Sequence, residues 1–274
     1  MNDKKRIDIR LAELGLVLSR EKAQSYIMAG SVYVNSQKAV KPSQLVKPDD
    51  KIELRETNPF VSRGGFKLDK ALRVFSVIVN DKICVDIGAS TGGFTDVLLQ
   101  NGARRVYAID VGYGQLDWSL RNDGRVVVME RTNARAITAE WFTDSVTFAC
   151  MDASFISIKL LLPGLQKVLK PQSDIVVLIK PQFEAGRNKV GKKGVVRDSA
   201  VHAEVIEGIL TFCRNTGLAV CGLDFSPITG PEGNIEFLLW MKTDGDSFWP
   251  QAEDSDRANA IAIEAKNFHK RNDA

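Results

Sequence analysis

The sequence predicts an α/β protein: a doubly wound, largely parallel sheet of about seven strands, preceded by a small α+β unit. Three observations lead there. Apolar runs at 83–87, 105–109, 126–129, 145–151, 174–179, 218–225 and 235–241 are mostly separated by helical patterns, as in a sheet covered on both faces. The first run closes in a glycine-rich turn, Asp86-Ile87-Gly88-Ala89-Ser90-Thr91-Gly92-Gly93, and an amphipathic stretch with Phe94, Val97, Leu98 and Leu99 follows. That strand–turn–helix corner is where doubly wound sheets bind nucleotide-like ligands. Before residue 57, by contrast, two short helical patterns precede short strands.

In chain order, Ile7, Leu11, Leu14 and Leu18 recur at helical spacing. Ser19 can cap a second helix from Lys22 to Met28, which Gly30 ends. Alternation from Ser31 to Asn35 and at Lys51 to Leu54 reads as strand. Residues 1–57 form this first unit, 58–65 a linker broken by Asn58-Pro59 and Gly64-Gly65, and 66–274 the larger domain. The larger domain opens on an amphipathic helix carrying Phe66, Leu68, Ala71, Leu72 and Phe75, with Lys67 at its start. The turns at Gly217 and Gly230-Pro231-Glu232-Gly233 make the last two strands an antiparallel pair. Glu184 to Arg197, basic and glycine-containing, reads as a mobile loop beyond a strand end. The polar tail holds one short helix, Ala258 to Phe268.

Bulk properties exclude several classes. The chain has 274 residues, 44% hydrophobic and 26% charged, which is ordinary for a globular protein. No apolar run approaches the ~18 residues of a membrane helix, and the N-terminus lacks a signal-peptide core. Cys84, Cys150, Cys213 and Cys221 sit in or beside apolar runs without ligand spacing, as reduced core residues of a cytoplasmic protein do. With only His202 and His269, no metal site and no histidine-based triad is expected. Residues 1–60 hold 11 Lys+Arg against 8 Asp+Glu, and the remainder 26 of each, so the whole net charge of +3 lies in the first segment. That distribution suits a nucleic-acid-binding module.

The glycine turn lacks the middle glycine of the dinucleotide fingerprint, and Phe94 stands where a phosphate loop needs Lys. A carboxylate at Asp86 would repel a phosphate and suit a cation. Asp110, closing the second strand, can bind ribose hydroxyls. The turn resembles motif I of the S-adenosylmethionine methyltransferases. The resemblance implies S-adenosylmethionine as cofactor, held by Asp86, Gly88, Ser90, Gly92, Gly93, Phe94, Asp110, Glu130 and Asn133.

Parallel strands present their chemistry at their C-terminal ends. There stand Asp152, and Lys180 closing an apolar strand, where an ammonium is costly to bury. The order Lys67, Asp152, Lys180, Glu236 matches the Lys-Asp-Lys-Glu tetrad of the FtsJ-like 2′-O-ribose methyltransferases. A ribose hydroxyl is a poor nucleophile and needs a base or a strongly orienting frame. Burial and a neighbouring Lys67 ammonium would both favour neutral Lys180, while the carboxylates oppose this. The residues alone leave open whether Lys180 removes the proton or orients the hydroxyl.

The first unit, through Arg6-Ile7-Asp8, Ser19-Arg20-Glu21-Lys22-Ala23 and Gly30-Ser31-Val32-Tyr33-Val34-Asn35, resembles the S4-like RNA-binding domain. Together with Val61-Ser62-Arg63-Gly64-Gly65-Phe66-Lys67-Leu68 and an FtsJ-like domain, the whole resembles the TlyA family of bacterial rRNA methyltransferases, often labelled haemolysins. The resemblance implies 2′-O-methylation of ribosomal RNA at cytidine, with ribosomal RNA or ribosomal subunits as partner, and neither membrane nor metal. Where some members carry Arg-x-Trp-Val in the linker, this chain has Asn58-Pro59-Phe60-Val61. The expected RNA contacts are Arg6, Arg10, Arg20, Lys22, Arg63, Arg187, Lys189, Lys192, Lys193 and Arg197. Two other readings stand beside it: a non-catalytic rRNA-binding or assembly factor, and a membrane-active haemolysin.

Overall fold

The structure, a computed structural model, describes residues 4–17, 19–28, 30–54, 58–191 and 193–272. It divides into two compact units, Met1–Pro59 and Phe60–Ala274.

The first unit runs β1 (Lys5–Arg6), α1 (Ile7–Glu13), α2 (Arg20–Met28), β2 (Val32–Val34), β3 (Gln37–Lys38), β4 (Leu45–Val46) and β5 (Ile52–Leu54). β1 pairs antiparallel with β4, and β2 lies between β3 and β5. Ile7 and Leu11 on α1, and Ala23 and Ile27 on α2, are four residues apart. Each pair therefore faces inward together, onto Val32, Val34 and Val46. α1 is shorter than its periodicity suggested. Leu14 is exposed, and Gly15 turns the chain with φ +67. Leu18 lies outside the described residues, as does the 55–57 end of the expected first domain.

The second unit begins earlier than residue 66. Of the expected 58–65 linker, Phe60–Gly65 falls within it. The Val61 amide donates to Asp96 at 2.8 Å, and Phe60 packs edge-on against Phe66. The elements are α3 (Gly65–Val74), β6 (Ile83–Ile87), α4 (Gly93–Gln100), β7 (Arg105–Ile109), α5 (Trp118–Arg121), β8 (Val126–Met129), β9 (Val146–Met151), α6 (Leu162–Val168), β10 (Leu169–Ile179), α7 (Pro181–Glu184), α8 (Ser199–Asn215), β11 (Ala219–Phe225), β12 (Phe237–Lys242) and α9 (Asp254–Asn272). Seven strands form one sheet in the order β11-β12-β10-β9-β6-β7-β8. β8, β7, β6, β9 and β10 pair in parallel, and β12 runs antiparallel between β10 and β11. Inward and outward residues of each strand feed two apolar layers.

α9 is longer than expected. Between buried Asp254 and His269, its apolar face is Ala258, Ala262 and Ala265, a stripe small enough for the helix to approach the core closely. The stretch 184–197 is also more anchored than a free loop. Val195 and Val196 are buried, and Asn234 bonds both the Val196 amide, at 3.0 Å, and the Gly194 carbonyl, at 2.9 Å.

Candidate active site

The reversal of strand order around β6 opens a cleft at the strand C-termini, as doubly wound sheets do. Gly88 makes the corner. Its φ is +81, and a Cβ there would lie 2.6 Å from the Asp152 carbonyl oxygen, so a side chain would push β6 from β9. Gly93 likewise lets α4 approach Ser62 and the Gly65 amide. The cleft beside this corner measures about 540 Å³, within the range of small-molecule sites. Gly88, Ser90, Asp110, Asn133 and Asp152 line it.

Asp110 is fixed by the backbone. Its Oδ2 accepts the Ser90 amide at 2.8 Å and its Oδ1 the Gly112 amide at 2.7 Å. Asn133 caps a short turn by accepting the Arg135 amide. Glu130 stands behind the lining: it accepts Arg121 Nη2 at 2.6 Å and the Gln115 amide at 3.2 Å. The Arg121 bond holds its carboxyl below the usual range. Glu130 thereby anchors Gln115, which does line the cleft. Gly92 turns the chain with φ +95 against Leu116 and Leu120. Phe94 is buried and lines a smaller recess next to Ser62.

Asp86 departs from expectation. It is wholly buried beneath the turn and faces neither recess. Its Oδ2 accepts the Thr95 hydroxyl at 2.7 Å, and burial pushes its carboxyl up to about 7. This buried acid holds α4 to β6 through Thr95 and does not present a carboxylate to a cation.

Lys67, Asp152, Lys180 and Glu236 converge. Lys67 lies in the first turn of α3, Asp152 and Lys180 follow β9 and β10, and Glu236 precedes β12. The register explains the meeting: β9 and β10 are parallel neighbours, and Ile179 faces Phe237 across β10 and β12. Lys67 Nζ lies 2.6 Å from Glu236 Oε2 and 3.3 Å from Asp152 Oδ2. Lys180 Nζ lies 2.5 Å from Asp152 Oδ1 as an ion pair, while its aligned hydrogen bond goes to Ser154 Oγ at 2.9 Å. Lys67, Lys180 and Glu236 are buried, and Asp152, with 19% of its side chain exposed, is the member that opens onto the cleft. Burial works against the Lys67 charge, but Asp152 and Glu236 outweigh it and raise its pKa. Lys67 is therefore a fixed cation between two carboxylates.

Sequence reasoning missed what surrounds Lys180. Ser154 accepts its hydrogen bond. Phe155 stands on the cleft rim, 91% exposed and in the left-handed region at φ +63, with its ring 5.2 Å from Phe183. Glu184 accepts the Ser157 hydroxyl at 2.7 Å and the Ile158 amide at 2.8 Å. Thus α7 holds the 154–158 segment at successive points. The available signal was the polar and aromatic content of Asp152–Ser157 and Lys180–Glu184, two segments that follow adjacent strands.

The expected RNA contacts are not alike. Arg6 and Arg20 bond Asp8, and Arg10 lies 3.4 Å from Glu13. Lys22, Arg63, Arg187, Lys193 and Arg197 are exposed, whereas Lys189 pairs with Glu204. Lys189, Lys193 and Arg197 line a basic recess of about 350 Å³. Lys192 lies outside the described residues. Among the described residues, no group of His, Cys, Asp or Glu could hold a metal ion, and no helix is long and apolar enough to cross a membrane.

Comparison with known proteins gives this geometry a family. Residues 60–243 match the FtsJ-like methyltransferase family, and residues 5–52 match the S4 domain. YqxC of Bacillus subtilis, which carries a provisional rRNA-methyltransferase name, is 54% identical over 89% of this chain and 87% of its own. The 16S/23S rRNA (cytidine-2′-O)-methyltransferase TlyA of Mycobacterium tuberculosis is 44% identical over 88% of this chain and 91% of its own. A solved structure of a hemolysin-named protein from Streptococcus thermophilus, 43% identical, superposes over 100% of this chain and 99% of that one with a TM-score of 0.77.

The cofactor of such enzymes, S-adenosylmethionine, fits the residues present. A Cβ-free corner at Gly88 admits a ligand against the backbone, and Asp110 offers a carboxylate whose position is already set by two amides. Among the described residues Arg135 is the one Lys or Arg along the cleft, so no cluster of cationic side chains is there to demand a phosphate. The chain belongs to the FtsJ-like methyltransferase family, in the TlyA group that carries an S4 domain ahead of the catalytic one, and is an S-adenosylmethionine-dependent methyltransferase.

Proposed function

We propose that this enzyme methylates a ribose 2′-hydroxyl of ribosomal RNA, at cytidine, acting on ribosomal subunits in the cytoplasm. The observation that carries the reading is the meeting of Lys67, Asp152, Lys180 and Glu236 at the wall of the cofactor cleft. The curated TlyA relative named for cytidine-2′-O methylation supports the substrate.

S-adenosylmethionine, when bound, supplies an electrophilic methyl group. The chain does the rest. Lys67, held charged between Asp152 and Glu236, fixes the Asp152 carboxylate. Asp152, partly open to the cleft, holds Lys180 toward the substrate hydroxyl. Lys180, aimed by Ser154 and Asp152, takes the hydroxyl proton in its amine form as the oxygen attacks. The frame is preorganised, so little rearrangement is needed at the moment of reaction. Asp110 and Asn133 bind the cofactor. Asp86 and Glu130 act from behind, through the turn and Gln115. Residues 1–57 bring the RNA, and Arg63, Arg187, Lys193 and Arg197 add phosphate contacts near the reaction.

Transfer of labelled methyl from S-adenosylmethionine to isolated ribosomal subunits, followed by mapping of 2′-O-methyl positions, tests the reading. The expected result is label at a cytidine ribose. Label on a base, or binding without transfer, would overturn it.

A further inference from the structure

Arg6 ends β1 and Arg20 begins α2, yet both reach one carboxylate. Asp8, in the first turn of α1, is completely buried. Its Oδ1 accepts Arg6 Nε at 3.0 Å. Its Oδ2 accepts Arg6 Nη2 at 2.9 Å, Arg20 Nε at 3.0 Å and Gln24 Nε2 at 3.0 Å. The Arg6 hydrogen bonds, chiefly, hold the Asp8 carboxyl far below its ordinary range, so the anion persists at any working pH.

This arrangement is costly in a module whose surplus is positive. Burying a carboxylate requires paired donors, and it cancels one unit of the charge that would attract a polyanion. Two guanidiniums sharing one oxygen would repel each other without it. What the arrangement gains is geometry. A guanidinium has five N–H donors; Arg6 commits two to Asp8 and Arg20 one. Both therefore keep donors, and 39% and 49% of their side chains remain exposed. A planar fork fixed before binding loses less entropy when it meets a phosphate.

We propose that Asp8 is a positioning residue for RNA binding: a buried anion that locks Arg6 and Arg20 side by side as a two-guanidinium site for RNA phosphate groups. The proposal rests on the reading that residues 1–57 bind RNA. It makes the charge of Asp8 favourable to binding a polyanion, opposite to the sign that charge counting gives.

The test is the affinity of the full-length protein for isolated ribosomal subunits across a salt series, with thermal unfolding of each variant recorded. Asp8→Asn keeps the side-chain shape and adds one positive charge. Charge counting has it bind more tightly. Positioning has it bind about tenfold more weakly, the size of one lost charge-assisted hydrogen bond. Arg6→Lys and Arg20→Lys keep every charge but lose the fork, and each should also bind about tenfold more weakly. These two decide the matter should Asp8→Asn unfold the first unit. Cofactor affinity by calorimetry should stay at the wild-type value in all three. A folded Asp8→Asn protein that binds as well as wild type or better overturns the proposal, as do lysine variants at wild-type affinity. The double variant Arg6→Ala/Arg20→Ala separates the two readings. If it binds as wild type, the first unit does not anchor RNA through this face, and both fail. If it weakens while Asp8→Asn and the lysine variants do not, the positioning role alone fails.

Discussion

Lys67 and Glu236 stand 169 positions apart in the chain and meet at 2.6 Å, both buried. The pair ties the first helix of the catalytic domain to its last strand and places a fixed cation behind Asp152. A buried ion pair is weak evidence of stabilisation by itself, because desolvation offsets attraction. In the proposed mechanism its value is to set the charge and orientation of the reacting frame.

Breaking that pair from one side should therefore be worse than removing it. Glu236→Ala leaves Lys67 buried with only Asp152 to balance it and should cost about 3–5 kcal/mol. Lys67→Met/Glu236→Leu should recover most of that stability without recovering methyl transfer. Chemical denaturation alongside the transfer assay separates the two effects. A double variant that regains activity would show that the pair only supports the fold.

The Asp86 carboxyl sits at about 7, raised by burial from an ordinary value of 3.8. The folded state therefore binds its proton more tightly than the unfolded state. Asp86 then contributes stability that is fully present below about pH 4 and is lost as pH rises to about 7, at up to about 1.4 kcal/mol per pH unit. Asp86→Asn retains a partner for Thr95 and cannot ionise. Its melting temperature should match wild type near pH 4 and exceed it at pH 8, measured without cofactor. Parallel pH profiles for the two proteins would contradict the buried-acid assignment.

Asp110 should govern cofactor affinity through its carboxylate. Asp110→Ala removes the acceptor of the Ser90 and Gly112 amides together with the proposed ribose contact. The loss should be about 1.5–3 kcal/mol, or roughly ten- to a hundredfold in the S-adenosylmethionine dissociation constant by calorimetry. Asp110→Asn, which keeps one acceptor, should fall between. Wild-type affinity in Asp110→Ala would move the ribose site elsewhere.

The sheet and the tetrad were legible because chemistry and pattern coincide at strand ends. A lysine after Ile175–Ile179, and an aspartate after Phe148–Met151, break apolar runs that would otherwise bury them. Asp86 misled because its acidity was visible and its direction was not. It lies within β6, one residue before the strand end, and points beneath the turn. The first unit misled in the same way. Arg6 and Arg20 read as free basic groups, but Asp8 captures both from elements that only the fold brings together. Residues 60–65 looked like a linker because Pro59, Gly64 and Gly65 punctuate them; Gly65 is in fact the residue against which Phe60 packs. The alanine stripe of α9 carries too little hydropathy to announce a core helix. The 184–197 segment reads as a free loop because its anchor, Asn234, lies 38 positions beyond Val196.

The role of Lys180 as the base is open to the most direct test. Lys180 is held by Ser154 and Asp152, and its proposed role is confined to the step in which the hydroxyl attacks. Loss of such a group typically costs 10²–10⁴-fold in rate, while the ground-state affinity for cofactor stays. Arginine keeps its proton and presents a planar fork, so it cannot take over. A structural salt bridge with Asp152 would give the reverse pattern: arginine tolerated, and alanine costing stability more than rate. The measurement is single-turnover transfer of labelled methyl to isolated ribosomal subunits by Lys180→Arg, with cofactor affinity and melting temperature recorded on the same preparation. The account predicts transfer reduced at least about a hundredfold with cofactor affinity retained; transfer near the wild-type rate would contradict it.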